Sequence, residues 1–178
     1  NVNGILVFLD GAKNKKDISK QKRISRILKS YKEIISSIVI RNKNIGLALN
    51  MVKSIDYTFN KKADAIIVLE DDCVLKKNGF NFFKNSLNYF KDENDIKSIC
   101  GYRIGNYRDI YKNNSPFILK RFFPWGWATW KEEWLDYHKT LKDIKSKKKH
   151  LGVYPKDIKD LFSKLKDKNF NKNIWSIV

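Results

Sequence analysis

Short apolar runs alternate with longer amphipathic stretches along the first hundred residues. Gly4-Ile5-Leu6-Val7-Phe8-Leu9 is apolar throughout and stops at Asp10-Gly11. A run this short, rich in β-branched residues and bounded by polar ones, reads as a buried strand. Ile34 to Ile40, ending at Arg41-Asn42, reads the same way. So do Ala63 to Leu69, ending at Glu70-Asp71-Asp72, and Ile96 to Gly101. The stretches between them carry helical spacing. Ile24, Ile27, Leu28 and Tyr31 mark a basic helix over Ile18 to Glu33. Leu49, Val52, Ile55 and Phe59 mark a second, from Ile45 to Phe59, with Asn44 as its N-cap. A third, rich in Phe, spans Gly79 to Phe90. The order β-α-β-α-β-α-β with short connections predicts the α/β class, with a mostly parallel central sheet flanked by helices.

Beyond Gly105 the pattern changes. Asn106 to Ser115 is polar and loop-like, and Phe117 to Leu119 predicts a short strand. A helix is expected from Thr129 or Trp130 through Tyr137, followed by a lysine-rich link from Lys142 to His150. A last amphipathic helix runs from Tyr154 to Lys166, with Ile158, Leu161, Phe162 and Leu165 on one face. The chain opens almost directly into a strand and closes on the apolar run Ile174 to Val178, so the expectation is one domain over 1–178, cut from a longer protein at both ends. Residues 1–105 would form one half of it and 106–178 the other.

Composition narrows the class. Hydrophobic residues make up 42% and aromatics 13%, which fits a globular chain and excludes a disordered one. No apolar run approaches the roughly 18 residues of a membrane helix, and no signal peptide is present, so a cytoplasmic location is expected. Cys73 and Cys100 lack metal-ligand spacing. They read as small thiols in a reducing compartment, able to form a disulfide only if their strands are neighbours.

Net charge is +18, with 37 Lys and Arg against 19 Asp and Glu. Lys, Asn and Ile are all abundant, as drift toward A/T-rich codons would produce. The functional explanations are attraction to an anionic substrate or peripheral contact with an anionic membrane, such as the inner face of the plasma membrane. A basic nucleic-acid-binding module is the alternative function. Lysine dominates, however, and is spread along the chain without a recognised binding motif, so nucleic acid is not an expected partner.

Candidate chemistry gathers at the strand ends. A parallel sheet collects ligands at its carboxyl edge, which would bring together Asp10, Arg41, Glu70-Asp71-Asp72 and Tyr102-Arg103. Three adjacent acids repel one another unless a cation sits among them. A hard divalent ion with oxygen ligands is the natural guest, and it would carry a phosphate-bearing substrate; the alternative is a solvated loop. Asp10-Gly11 is either a turn pair or a carboxylate accepting from a nucleobase N–H. Arg41 is a surface arginine beside a helix cap or a charged wall near phosphates, with Asn50 one turn further along. Four of the five tryptophans lie between Arg121 and Trp134. Trp130 and Trp134 read as core, whereas Trp125-Gly126-Trp127 offers flat faces on which sugar rings stack.

Val68-Leu69-Glu70-Asp71-Asp72-Cys73-Val74-Leu75, followed by Phe80-Asn81-Phe82-Phe83, resembles the metal-binding segment of GT-A glycosyltransferases. The likeness is to the N-acetylglucosaminyltransferase I family and its bacterial relatives, and it covers roughly Gly4 to Tyr137. Phe123-Pro124-Trp125-Gly126-Trp127 is similar to that family's Phe-Pro-Gly-x-Gly-Trp segment, and Asp10 sits where the family has a uracil-contacting acid. The resemblance implies a GT-A, Rossmann-like nucleotide-diphospho-sugar transferase fold. It implies a metal-dependent, inverting transfer from a UDP-linked sugar to a glycan or lipid-linked glycan acceptor, in bacterial surface polysaccharide synthesis. Asp72, with Asp71, would hold Mn2+ or Mg2+. Asp10, Arg41, Asn50, Glu70 and Asp71 would hold the nucleotide-sugar, and Arg103, Trp125, Gly126 and Trp127 would shape the sugar and acceptor pocket. The family's catalytic base follows a later Trp, where this chain has Trp175-Ser176. Glu132, Glu133 and Asp136 are the other candidates, and the base is left unassigned. Hydrolases need opposed rather than adjacent carboxylates, and the Gly-rich loop of a phosphotransferase is missing.

Overall fold

A computed structural model describes residues 4–102, 116, 118–119 and 121–145. They fall into two compact units, whose described parts are residues 4–61 and 62–145.

The first unit is a β-α-β-α arrangement: β1 (Ile5–Leu9), α1 (Lys15–Ser30), β2 (Ile35–Ile40) and α2 (Leu47–Asn60). β1 and β2 pair in parallel, from Ile5↔Ile35 to Leu9↔Ile40, with an irregularity between Ile5 and Leu6. Asn14 caps α1, its side chain accepting from the Asp17 N–H at 3.0 Å. α1 is so polar that none of its residues is buried. α2 supplies this unit's buried side chains, Ser54, Ile55 and Phe59. The Phe8 ring meets Tyr57 edge-on at 5.5 Å, which ties β1 to α2.

The second unit holds β3 (Ala65–Val68), α3 (Gly79–Tyr89), β4 (Ile99–Cys100), β5 (Trp127–Trp130) and α4 (Lys131–Lys145). Its sheet order is β3-β5-β4, and β5 is antiparallel to both neighbours. Phe83, Ile99 and Ala128 form the buried centre, with Ile67, Leu75, Leu87, Phe90, Ile96 and Trp130 packed against it. Two polar groups that enter this core are hydrogen-bonded. The Thr129 hydroxyl donates to the Lys97 carbonyl at 2.8 Å, and the Trp130 indole N–H to the Leu87 carbonyl at 3.2 Å.

The protein is mixed α/β, but the large, mostly parallel sheet expected from the sequence is absent among the described residues. The parallel pairing is confined to two strands, and the other sheet is antiparallel. The cause is the Trp127-Ala128-Thr129-Trp130 stretch. Thr129 and Trp130, read as the start of a helix, belong to a strand with Trp127 and Ala128, and α4 begins only at Lys131. Four residues are too few for periodicity to separate a helix start from a strand. Alternation decides it here, because Ala128 enters the cluster around Phe83 while Trp127 rests on Phe122 and Trp134. β5 lies between β3, which leads to Cys73, and β4, which ends in Cys100, so these strands are not neighbours, and both thiols are free.

Three further expectations fall wholly or partly outside the described residues: the 106–115 loop, the 117–119 strand and the 154–166 helix. Ile118 and Leu119, which are described, carry no strand. Among the described residues no helix is long and apolar enough to cross a membrane.

Candidate functional site

In the second unit, the sheet ends where β3 and β4 finish and β5 starts. Val68 and Cys100 both face Trp127 across their ladders. One residue further on, the Gly101 N–H donates to the Gly126 carbonyl at 2.8 Å. On the other side, a Cβ on Gly126 would stand 3.5 Å from the Leu69 Cδ2. Gly126 has φ +72°, a left-handed conformation that favours glycine. This is the bend that sends the chain into β5 and turns Trp125 outward. Trp125 is 43% exposed, and its ring meets Tyr102 edge-on at 5.1 Å. Trp127 differs. It is buried at 4% exposure against Phe122 and Trp134, so only one of the two indoles presents a face to a ligand.

The acidic triplet follows β3 by one residue. It forms a turn closed by the Cys73 N–H, which donates to the Glu70 carbonyl at 3.0 Å. Asp71 and Asp72 are exposed and Glu70 is half-buried. Partial burial pushes the Glu70 carboxyl above its ordinary value, and the charges of Asp72 and Asp71 push it the same way. The Cys73 thiol donates to Asp72 Oδ1 at 3.7 Å. Burial is the main cause raising this thiol, and the neighbouring carboxylates add to it. Cys100, more deeply placed, is also raised by burial.

Among the described residues no group of three or more His, Cys, Asp or Glu side chains is arranged to hold a metal ion by itself. The donor set nevertheless fits a hard divalent ion of a particular kind. Mg2+-like ions are commonly held by one or two carboxylates, with substrate phosphates filling further positions. Asp71 and Asp72 are two exposed carboxylates, and their charge already works against ionisation of Glu70.

In the first unit, Asp10 closes the loops after β1 and β2. Its Oδ1 accepts from the Gly11 N–H at 2.8 Å and the Ile45 N–H at 3.0 Å. Its Oδ2 accepts from the Gly46 N–H at 2.8 Å and from Asn44 Nδ2 at 3.0 Å. Asn44 also donates to the Gly11 carbonyl at 2.8 Å. Asn44 is therefore not the helix cap read from the sequence. Gly46 occupies that position with φ +83° and no side-chain cap, and Asp10 holds the two amides that lead into α2. A carboxylate has about four acceptor sites, and here all are engaged. Nucleobase recognition by Asp10 would have to displace one of these donors.

Arg41 and Asn50, both expected to line the nucleotide site, bond to each other. Arg41 Nε donates to Asn50 Oδ1 at 2.6 Å, and Nη2 reaches Ser54 Oγ at 3.3 Å. No carboxylate among the described residues pairs with this guanidinium, so its charge is offset only by neutral acceptors. Arg103 lies outside the described residues, as do Trp175 and Ser176. Of the candidate bases on α4, Glu133 is ion-paired with Lys97 at 2.8 Å, while Glu132 and Asp136 are exposed. Two contacts leave a faint signal in the sequence. One is Tyr102 beside Trp125, foreshadowed by an aromatic just past one strand and a Trp-Gly just before another. The other is Asp10 on Gly46, an acid after one strand facing a glycine before the next helix.

No protein-family model, curated protein or solved structure matches the chain.

Proposed function

We propose that the chain is a catalytic domain of a metal-dependent GT-A-type glycosyltransferase. Its donor would be a nucleotide-diphosphate sugar, UDP-linked, and its acceptor a glycan or lipid-linked glycan of bacterial surface polysaccharide synthesis. The observation that carries this reading is the turn at the end of β3. There Glu70, Asp71 and Asp72 follow one another with Glu70 disfavoured as an anion, directly after Leu69, whose side chain lies beside Gly126, the bend that precedes β5 and carries the exposed Trp125. Asp72, with Asp71, would hold Mn2+ or Mg2+ in a shell completed by the donor's diphosphate. Bound there, such an ion supplies Lewis-acid neutralisation of the leaving diphosphate. Glu70 then faces ribose or sugar hydroxyls as an acceptor. Trp125, braced edge-on by Tyr102, gives the sugar ring an apolar face to lie on. Glycosyl transfer with inversion also needs a carboxylate to take the acceptor's proton, and no residue is assigned to that role.

The test is donor hydrolysis by the full chain over a panel of UDP- and GDP-sugars, followed as release of nucleoside diphosphate. The reading predicts turnover of a UDP-sugar that is abolished by chelation and by Asp72→Ala. Turnover indifferent to both, or none across the whole panel with manganese present, overturns it.

A further inference from the structure

The face of α1 that combines cations with exposed isoleucines is the feature the proposed chemistry leaves unused. Over its length α1 carries seven Lys and Arg against Asp17 alone. Ile24, Ile27 and Tyr31 are 41%, 53% and 54% exposed. Their spacing of three and four residues sets them in one stripe. Lys16, Lys20 and Arg23 fall within or beside the same stripe by the same geometry. Gln21 fixes the helix's rotation by donating to the Asp10 backbone carbonyl, which keeps this stripe off the sheet. Ile34, 58% exposed just past the helix, extends the apolar patch.

We propose that this face of α1 docks on an anionic lipid surface, with the isoleucines entering the headgroup region and the cations pairing with lipid phosphates. A helix of low mean hydropathy, a strongly cationic face and an apolar stripe has the properties of an interfacial helix. Each cation near an anionic surface adds to its attraction, within about a Debye length. A second copy of the same face is disfavoured as the occupant because cation would meet cation. Nucleic acid is disfavoured because Ile24, Ile27 and Ile34 are aliphatic and leave Tyr31 as the stripe's one ring on which a base could stack. The inference does not depend on the glycosyltransferase reading.

Co-sedimentation of the full chain with vesicles tests it, in chelator and without nucleotide, so that donor binding plays no part. Vesicles with about 30% phosphatidylglycerol are compared with pure phosphatidylcholine at about 100 mM salt. Binding is expected to the anionic vesicles only. Lys20→Gln with Arg23→Gln should weaken it roughly 25-fold, at about 5-fold per cation. Ile24→Ser with Ile27→Ser should weaken it about 10-fold, since half-exposed isoleucines lose part of their transfer gain. The α4 pair Lys139→Gln with Lys142→Gln should stay within about 3-fold of the parent. Circular dichroism of each variant confirms that the helices remain. No binding to anionic vesicles, equal binding to neutral ones, or undiminished binding by the isoleucine variant would overturn the proposal. So would displacement from the vesicles by a short RNA at equal phosphate concentration.

Discussion

Replacing Asp10 by Asn separates a structural carboxylate from a ligand-reading one. The side chain keeps its size, but one oxygen becomes an NH2 group. Whichever oxygen is lost, two donors are left facing a donor: the Gly11 and Ile45 N–H groups at Oδ1, or the Gly46 N–H and Asn44 Nδ2 at Oδ2. A hydrogen bond to a charged acceptor is worth about 1.5–3 kcal/mol net. The site is only part-buried, so water can take over some of that role and the lower figure applies. Two lost bonds then cost about 3 kcal/mol. With a urea slope near 2 kcal/mol/M, the unfolding midpoint should fall by about 1.5 M. Amide exchange gives the local readout, because Ile45 or Gly46, whichever then faces the NH2 group, should lose protection first. An Asp10→Asn protein with an unchanged midpoint, unchanged exchange at those two amides and abolished UDP binding would refute this reasoning. Asp10 would then be the nucleobase acceptor the resemblance implies.

Two other perturbations follow from the second unit. A methyl group added by Gly101→Ala would sit 2.6 Å from Phe83 Cζ, and Phe83 is the most deeply buried ring described. Overpacking of this kind should lower stability by about 1–3 kcal/mol in chemical denaturation, with Phe83→Leu in the same chain recovering part of it. Glu70 makes stability depend on pH. Its folded carboxyl is raised, so stability is highest while the group is protonated and falls as pH rises from the ordinary carboxylate value through the raised one. Glu70→Gln should therefore raise the melting temperature at neutral pH and leave it unchanged near pH 4; a fall at neutral pH would contradict the assignment.

The first unit was largely legible in the sequence. Continuous apolar runs with polar ends marked β1 and β2, and helical spacing marked α1 and α2, because those elements are long enough for period to speak. β4 shrank to Ile99–Cys100, since Ile96 packs on the core from outside the ladder and Lys97 and Ser98 belong to no strand. β5 was missed for another reason: aromatic-small-aromatic over four residues has no period of its own, and its strand form depends on partners distant in sequence. One wrong element type changed the sheet from parallel to antiparallel. Asp10, Arg41 and Asn50 now belong to one described unit and Glu70, Asp71 and Asp72 to the other. The acidic turn itself was legible because charge ending an apolar run marks a strand end whatever sheet that strand joins. The partners of Asp10 and Arg41 were not, because hydrogen bonds across some nine to thirty-six residues leave no local trace.

The central claim is that the β3 turn binds a divalent ion together with a diphosphate. Isothermal titration of UDP into the full chain, with and without Mn2+, tests it most directly. With only two exposed carboxylates as protein ligands, Mn2+ alone should bind weakly, UDP should bind at least about 10-fold more tightly with the ion than without it, and Asp72→Ala should remove that difference. UDP affinity that ignores the ion, or an ion effect that survives Asp72→Ala, would contradict the account.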